Sequence, residues 1–313
     1  MRGWWQDLAD LVLPAECGGC GMPRTALCPE CRAALDGAVP SRVRPVPEPP
    51  GLPVVHAAAR YADEVRAVLL AHKERGALAL AAPLGAALAE AVRAGLREAR
   101  RNGRGTARRD GPLLLVPVPS ARAAVRARGH DPARRIALAA AGELRRTGTP
   151  ARVLAVLRQR RAVADQSGLD ARQRLDNLAG ALAVAPGGAR LLCGGQAVLV
   201  DDLMTTGASL AEAARAVRAA RAVPEWQEPP ATGGTGRGPV SQTVGRTAVY
   251  PAATREGRKG RTPGTGNEGA GTGDEGVGRG RRADGTTEAV GADAVVCAAV
   301  VAAPPDSFEI NRN

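Results

Sequence analysis

Residues 198–210 read Val-Leu-Val-Asp-Asp-Leu-Met-Thr-Thr-Gly-Ala-Ser-Leu: an apolar strand ending in two acids, a hydroxyl-and-glycine turn, and the start of an amphipathic helix. A buried strand of this kind brings Asp201 and Asp202 to its C-terminal edge, where paired carboxylates accept hydrogen bonds from the two hydroxyls of a ribose. Thr205, Thr206, Gly207, Ala208 and Ser209 then open a helix whose free backbone N–H groups and positive dipole end suit a phosphate monoester. Ribose 5-phosphate satisfies both halves at once. The plainer alternative is an ordinary strand and helix start in which the two acids serve only as caps.

The surrounding periodicity predicts an α/β domain. Strands are expected at Val54–Tyr61, Leu113–Val118, Val153–Leu157, Ala181–Ala185, Ala197–Asp201 and Ala294–Ala302, several of them continuous apolar runs of the kind a buried parallel sheet requires. Between them lie helical patterns at Asp63–His72, at 83–99 with Leu84, Leu88, Val92 and Leu96 four apart, and at Leu210–Ala222. Asp131-Pro132 starts a further helix, with an acid at the cap and proline in the first turn, followed by Ile136, Ala139, Ala140 and Leu144. Alternation of strand and helix implies a mainly parallel sheet flanked by helices. His72, on an apolar helix face, reads as a packed histidine.

Net charge is +12, carried almost wholly by arginine, because Lys73 and Lys259 are the only lysines. Residues 224–290 hold nine basic and eight acidic side chains, so the excess belongs to the rest of the chain and favours polyanionic partners. The same stretch contains sixteen of the 39 glycines and no sustained apolar period, and reads as a disordered insertion, either a bland linker or a basic arm. It interrupts one domain, expected at 54–223 and 291–303, with 304–313 as a tail. Pro40–Pro53 reads as a proline-rich linker. No uncharged apolar run reaches membrane-spanning length, and the stripe Trp4-Trp5…Leu8…Leu11-Val12 reads as a short amphipathic helix, so a cytoplasmic protein is expected.

Four of the six cysteines fall in Cys17-Gly-Gly-Cys20-Gly and Cys28-Pro-Glu-Cys31. Each Cys-x-x-Cys turn points two thiolates at one centre, and Gly21 lets the backbone curl after the second, so residues 1–39 read as an N-terminal helix and a structural Zn²⁺ knuckle. Disulfides or a redox pair are the competing readings. Cys193 and Cys297, in or beside apolar segments, read as inert thiols.

Two further segments carry chemistry. Strand 113–118 ends in Pro117-Val118-Pro119-Ser120, and the loop that follows bears Arg122, Arg126 and Arg128, whose forked donors suit a pyrophosphate if the loop faces the same crevice as 205–209; a basic surface loop is the alternative. Polar residues 157–178 read as a mobile flap in which Arg158, Gln166, Arg174 and Asn177 close over a ligand, or else as a solvated helix face.

The acids and Thr-Gly loop resemble the phosphoribosyl diphosphate (PRPP) signature of type I phosphoribosyltransferases. The four-Cys knuckle, Tyr61 with Lys73-Glu-Arg-Gly76, Val116-Pro-Val-Pro119, Arg128-Gly129, the series Arg158…Gln166…Leu169…Arg174…Asn177 and Val200–Gly207 together resemble the ComF family over residues 11–222 and 291–303. That resemblance implies a type I phosphoribosyltransferase-like sheet and a PRPP site served by Mg²⁺, with Lys73 as a phosphate contact, an exposed surface lysine being the alternative. It also implies an association with DNA uptake in competence, with single-stranded DNA and a helicase as partners. His130-Asp131-Pro132 departs from the family's aromatic-Asn-Gln, and the long glycine-rich insert is unusual. The residues leave two functions open: transfer of phosphoribosyl to an acceptor with release of pyrophosphate, or a nucleotide- or DNA-binding module. Six aromatic side chains, Trp4, Trp5, Tyr61, Trp226, Tyr250 and Phe308, leave little for base stacking, so DNA contact is expected to be phosphate-driven.

Overall fold

The computed structural model describes residues 16–103, 111–161, 171–222 and 295–308. The N-terminal stripe, Gln166 and the 224–290 insertion lie outside the described residues. From the N-terminus the elements are α1 (Pro29–Asp36), β1 (Ser41–Val43), β2 (Val55–Arg60), α2 (Asp63–Glu74), a 3-10 turn (Leu78–Leu80) and α3 (Ala81–Arg101). Next come β3 (Leu113–Pro117), α4 (Arg122–Arg128), α5 (Pro132–Arg146), β4 (Ala151–Val153), β5 (Leu157–Gln159), α6 (Ala171–Leu178) and β6 (Leu182–Val184). The last are α7 (Gly188–Leu192), β7 (Gln196–Leu203), α8 (Ala208–Ala222), β8 (Cys297–Ala303) and a 3-10 turn (Pro305–Ser307).

Six strands form one sheet in the order β1-β2-β8-β7-β3-β4, parallel except for β1. The alternation of side chains along β7 explains why helices cover both faces. Val198 and Val200 join Leu84, Leu88, Ile136 and Leu144 of α3 and α5, whereas Ala197 and Leu199 join Leu192, Leu210, Ala213 and Val217 of α7 and α8. At the α3–α5 crossing, a Cβ on Gly85 would overlap Ala139 Cβ and lie 2.8 Å from Ala140 N, so only glycine lets the two helices approach this closely. Asp131 caps α5 by accepting from Arg134 N at 3.2 Å, with Pro132 in the first turn.

Chain direction through the sheet creates one switch point. From β3 the chain moves through α5 to β4 on one side, and from β7 it moves through α8 to β8 on the other. The crevice between the C-terminal ends of β3 and β7 is where an open α/β sheet binds ligands.

Several expectations need correction. The single strand at 153–157 is two: β4 pairs with β3, a tight turn from Leu154 O to Val156 N redirects the chain, and β5 pairs antiparallel with β6 in a separate two-stranded sheet. The strand at 181–185 therefore stands outside the main sheet. The expected basic loop 122–128 is the helix α4, closed by Gly129 in the left-handed region. Within the proline-rich stretch, Ser41–Val43 forms an edge strand because Val43 is buried, and an edge strand tolerates the prolines that follow. In the expected tail, Arg44 N donates to Ser307 O at 2.7 Å, and Phe308 bridges to Val43. Leu78–Arg101 is by length and composition apolar enough to cross a membrane, but most of it is buried against the sheet and α5, as in a core helix.

Candidate functional site

β7 outruns β3. Pro117, the last residue of β3, pairs with Val200, and Val118 N makes the closing bond to Val200 O at 2.9 Å. Asp201 and Leu203 still pair with Val300 and Ala302 of β8, so the acids emerge at the switch point with a neighbouring strand on one side only. Asp202 N donates to Asp201 Oδ1 at 2.9 Å. The chain then turns through Thr205, exposed, and Thr206, half-buried, to Gly207 at φ 73°. The backbone angle demands glycine, and a Cβ on Gly207 would in addition sit tightly, 3.1 Å from Leu52 and 3.2 Å from Pro45 of the proline-rich stretch. Ala208 and Ser209 are the first residues of α8.

Lys73, in the last turn of α2, reaches Asp202, Nζ to Oδ2 3.3 Å. Its ammonium pKa is raised above the ordinary lysine value, chiefly by the Asp202 charge, with burial opposing and Asp201 adding. Burial, reinforced by the Asp202 charge, raises the Asp201 carboxyl well above the usual carboxylate range, and Lys73 offsets part of this. The two acids thus share the single Lys73 cation, and an incoming hydrogen-bond donor favours the otherwise disfavoured charge on Asp201.

Arg128 also approaches this centre through α2: its Nε lies 3.5 Å from Glu74 Oε2, while its Nη1 is buried without a hydrogen bond. Arg122 and Arg126 are exposed on α4. His130 lies between Arg128 and α2, with Nδ1 3.2 Å from Arg128 O and Nε2 3.2 Å from His72 O, so a neutral ring donates to one carbonyl at a time. His72 is fully buried, neither ring nitrogen has a partner, and it meets the His130 ring edge to face at 5.6 Å. Burial, then the neighbouring His130 charge, lowers its pKa to about 4, with Asp202 opposing.

Of the flap residues, Arg158 is exposed on β5, and Arg174 and Asn177 lie on α6. The described ends of this segment are pinned to α8: buried Glu212 accepts from Leu182 N at 2.9 Å and from Arg215, while Leu178 and Ala181 pack on Ala208. Asp201, Asp202, Lys73 and Arg128 are therefore gathered around the end of α2, and the 205–209 turn follows directly on β7. Glu74 and Arg75 enter the sequence reading only within Lys73-Glu-Arg-Gly76, without a role, and Glu212 not at all. Their charge was visible in sequence, but their partners lie 54, 57 and 30 positions away.

The cysteines form a second centre. The Sγ atoms of Cys17, Cys20, Cys28 and Cys31 lie within 4.8 Å of one another, and Cys20 and Cys28 are 3.6 Å apart. Four thiolates at about 2.3 Å from one ion stand about 3.8 Å apart, so the set fits a closed tetrahedral metal site. All four are thiols, and Cys20 alone of them is exposed. Backbone N–H groups already point at sulfur: Cys28 N donates to Cys17 Sγ at 3.3 Å and Cys31 N to Cys28 Sγ at 3.4 Å. For Cys17 burial raises the thiol pKa, but donated hydrogen bonds outweigh it and bring it to about 6. No protein-family model matches this chain, and no curated protein matches it significantly.

Proposed function

We propose that this chain is a ComF-like protein of the type I phosphoribosyltransferase class that binds PRPP and transfers its phosphoribosyl group, with Zn²⁺ as the structural ion of the cysteine knuckle. The observation that carries the reading is the convergence at the sheet's switch point: Asp201 and Asp202 run past the end of β3, Lys73 stands 3.3 Å from Asp202, and a glycine-hinged turn leads straight into α8. In this reading the two carboxylates accept the ribose hydroxyls, and the backbone of Thr205, Thr206, Gly207, Ala208 and Ser209 takes the 5-phosphate. Lys73 and Arg128 face the diphosphate, with Arg122 and Arg126 free to join them, and Mg²⁺ accompanies that diphosphate when PRPP is bound.

Transfer consists of attack by an acceptor at the anomeric carbon. The bond from that carbon to the diphosphate oxygen breaks, pyrophosphate departs with the electron pair, and the acceptor gives up its proton. The chain's contribution is positioning and stabilisation of leaving-group charge. Arg158, Gln166, Arg174 and Asn177 serve the exclusion of water from this step.

Calorimetry with Mg-PRPP on the wild type and on Asp201→Asn with Asp202→Asn tests the site. Micromolar binding lost in the double variant is expected; equal binding by the two, or none by the wild type, rejects it. Pyrophosphate release on screening acceptors tests transfer, and one tightly held zinc per chain tests the knuckle.

A second reading rests on the exposure of Arg122 and Arg126: a module in a cytoplasmic DNA-uptake assembly that binds single-stranded DNA beside a helicase, with PRPP as a regulator or not used at all. Affinity for single-stranded DNA falling steeply with salt, without pyrophosphate release, favours it.

A further inference from the structure

Four consecutive residues, the last three of α2 and its C-cap Arg75, reach three separate parts of the protein: the 128–130 turn, β7 and the first cysteine turn. The His72 carbonyl meets His130 Nε2, Lys73 meets Asp202, Glu74 meets Arg128, and Arg75 Nη2 donates to the carbonyl of Gly18 at 3.1 Å, inside the first cysteine turn. That turn is seated directly on the helix. A Cβ on Gly18 would lie 2.6 Å from Leu80 Cδ1 and 3.3 Å from Ala71 Cβ. On Gly19 it would lie 2.5 Å from Cys31 Sγ and 3.4 Å from Val68 Cγ2. Cys17, Cys28 and Cys31 belong to the same buried cluster as Val65, Val68, Leu69 and Ala71 of α2. The knuckle backbone therefore packs in direct contact with Val68 and Ala71 of α2 and tightly against Leu80 beyond it, so what fixes the four sulfurs also supports the surface on which α2 ends.

We propose that the cysteine knuckle is the support that positions Lys73, with Arg75 as the positioning residue between them. A metal drawn to the four thiolates holds Gly18 and Gly19 against Val68, Ala71 and Leu80. Arg75 ties the last turn of α2 to that platform, and Lys73, two residues earlier, is thereby held at Asp202. Metal occupancy at the knuckle then sets the affinity of the acid pair for its ligand, although the ion touches no part of that ligand. The inference rests on the reading of the acid pair as a PRPP site only for the identity of the ligand.

The experiment uses the full chain with three readouts: zinc content, calorimetry with Mg-PRPP, and amide hydrogen exchange over residues 69–77, with residues 132–146 as the internal control. Arg75→Ala is expected to keep its zinc, to speed exchange at 69–77 but not at 132–146, and to weaken PRPP binding about fivefold. Arg75→Lys restores part of that loss, because an ammonium can still donate to the Gly18 carbonyl. In a Lys73→Ala background, Arg75→Ala costs no further affinity, since the effect passes through Lys73; a general loss of stability would remain additive. Chelating the zinc reproduces the effect, and adding Zn²⁺ back reverses it.

Unchanged affinity and unchanged exchange, both in Arg75→Ala and after chelation, overturn the proposal, as does full additivity with Lys73→Ala. Should Arg75→Ala fail to fold or to hold zinc, stripping and reloading the wild type decides: a reversible change at 69–77 supports the coupling and no change defeats it. A wild type that ignores PRPP while exchange at 69–77 still answers to zinc and Arg75 leaves the coupling standing and removes the ligand assignment.

Discussion

Asp201 is held in an environment that disfavours its charge, through burial first and the Asp202 carboxylate second. A carboxyl whose folded pKa is raised supports the fold while protonated, and that support is lost as pH rises through the folded value. Asp201→Asn is therefore expected to raise stability at neutral pH by about 1 kcal/mol while weakening ligand binding, the usual opposition between stability and a functional site. Thermal melts with calorimetry on the same variant check both halves, and a lowered melting temperature contradicts the electrostatic argument. His72 works in the other direction. Its folded pKa is lowered to about 4 from an ordinary value near 6.5, so its contribution is complete above the ordinary value and is lost as pH falls towards the folded one. Full protonation of this buried ring costs about 3 kcal/mol. Urea unfolding at pH 7 and pH 4.5 should show a smaller acid loss in His72→Gln than in the wild type; equal losses would remove His72 from the account. The sequence marked His72 as packed, but its unpartnered nitrogens and the ring of His130 emerge only once α2 meets the 128–130 turn.

Helix geometry gives two glycines opposite roles on the same layer. Gly85 stands where α3 crosses α5, and a Cβ there would press on Ala139 and on the Ala140 backbone, which cannot yield as a long side chain can. Alanine gains about 1 kcal/mol of helix propensity but meets an overpacking cost of about 1–3 kcal/mol, so Gly85→Ala is expected to destabilise by up to about 2 kcal/mol. Gly142, within α5, has only Arg145 Nη2 at 4.0 Å near its would-be Cβ, and Gly142→Ala is expected to stabilise by about 0.5–1 kcal/mol. Denaturant midpoints compare the two directly, and a common sign defeats the crossing argument. Composition marks both positions simply as glycine within a helical pattern. The apolar period identified α3 and α5 as helices, but not which residue lies at their closest approach.

At the scale of the molecule, the knuckle is continuous with the core rather than appended to it. Cys17, Leu27, Cys28, Cys31 and Leu35 pack in the cluster that joins α2, α3 and the sheet. If the four cysteines hold zinc as proposed, its chelation is expected to lower the melting temperature by about 10 °C, the effect of losing a tightly held ligand from a domain of this size. Far-UV circular dichroism should keep most of its helical signal, because Leu199, Leu210, Ala213 and Val217 on the opposite face share no part of the knuckle. A melting curve indifferent to chelation would detach the cysteines from the stability of the sheet.

The sequence by itself determined the elements that local pattern controls. Apolar runs and four-residue periods marked the parallel strands and long helices, Asp131-Pro132 marked the start of α5, and the paired Cys-x-x-Cys turns marked the knuckle, since each signal lies within a few neighbouring residues. It also brought Asp201 and Asp202 to the end of a strand. Only the tertiary structure decided that β5 and β6 leave the main sheet, that Val43 closes its edge, and that the strand order puts the two acids at the switch point. It alone decided that the ending of α2 joins the acids to Arg128 and to the cysteine turn. The physical reason is distance: those contacts link residues as far apart in sequence as Lys73 and Asp202 or Val55 and Ala298, and no local periodicity records a partner that chain topology must first bring within a few ångströms.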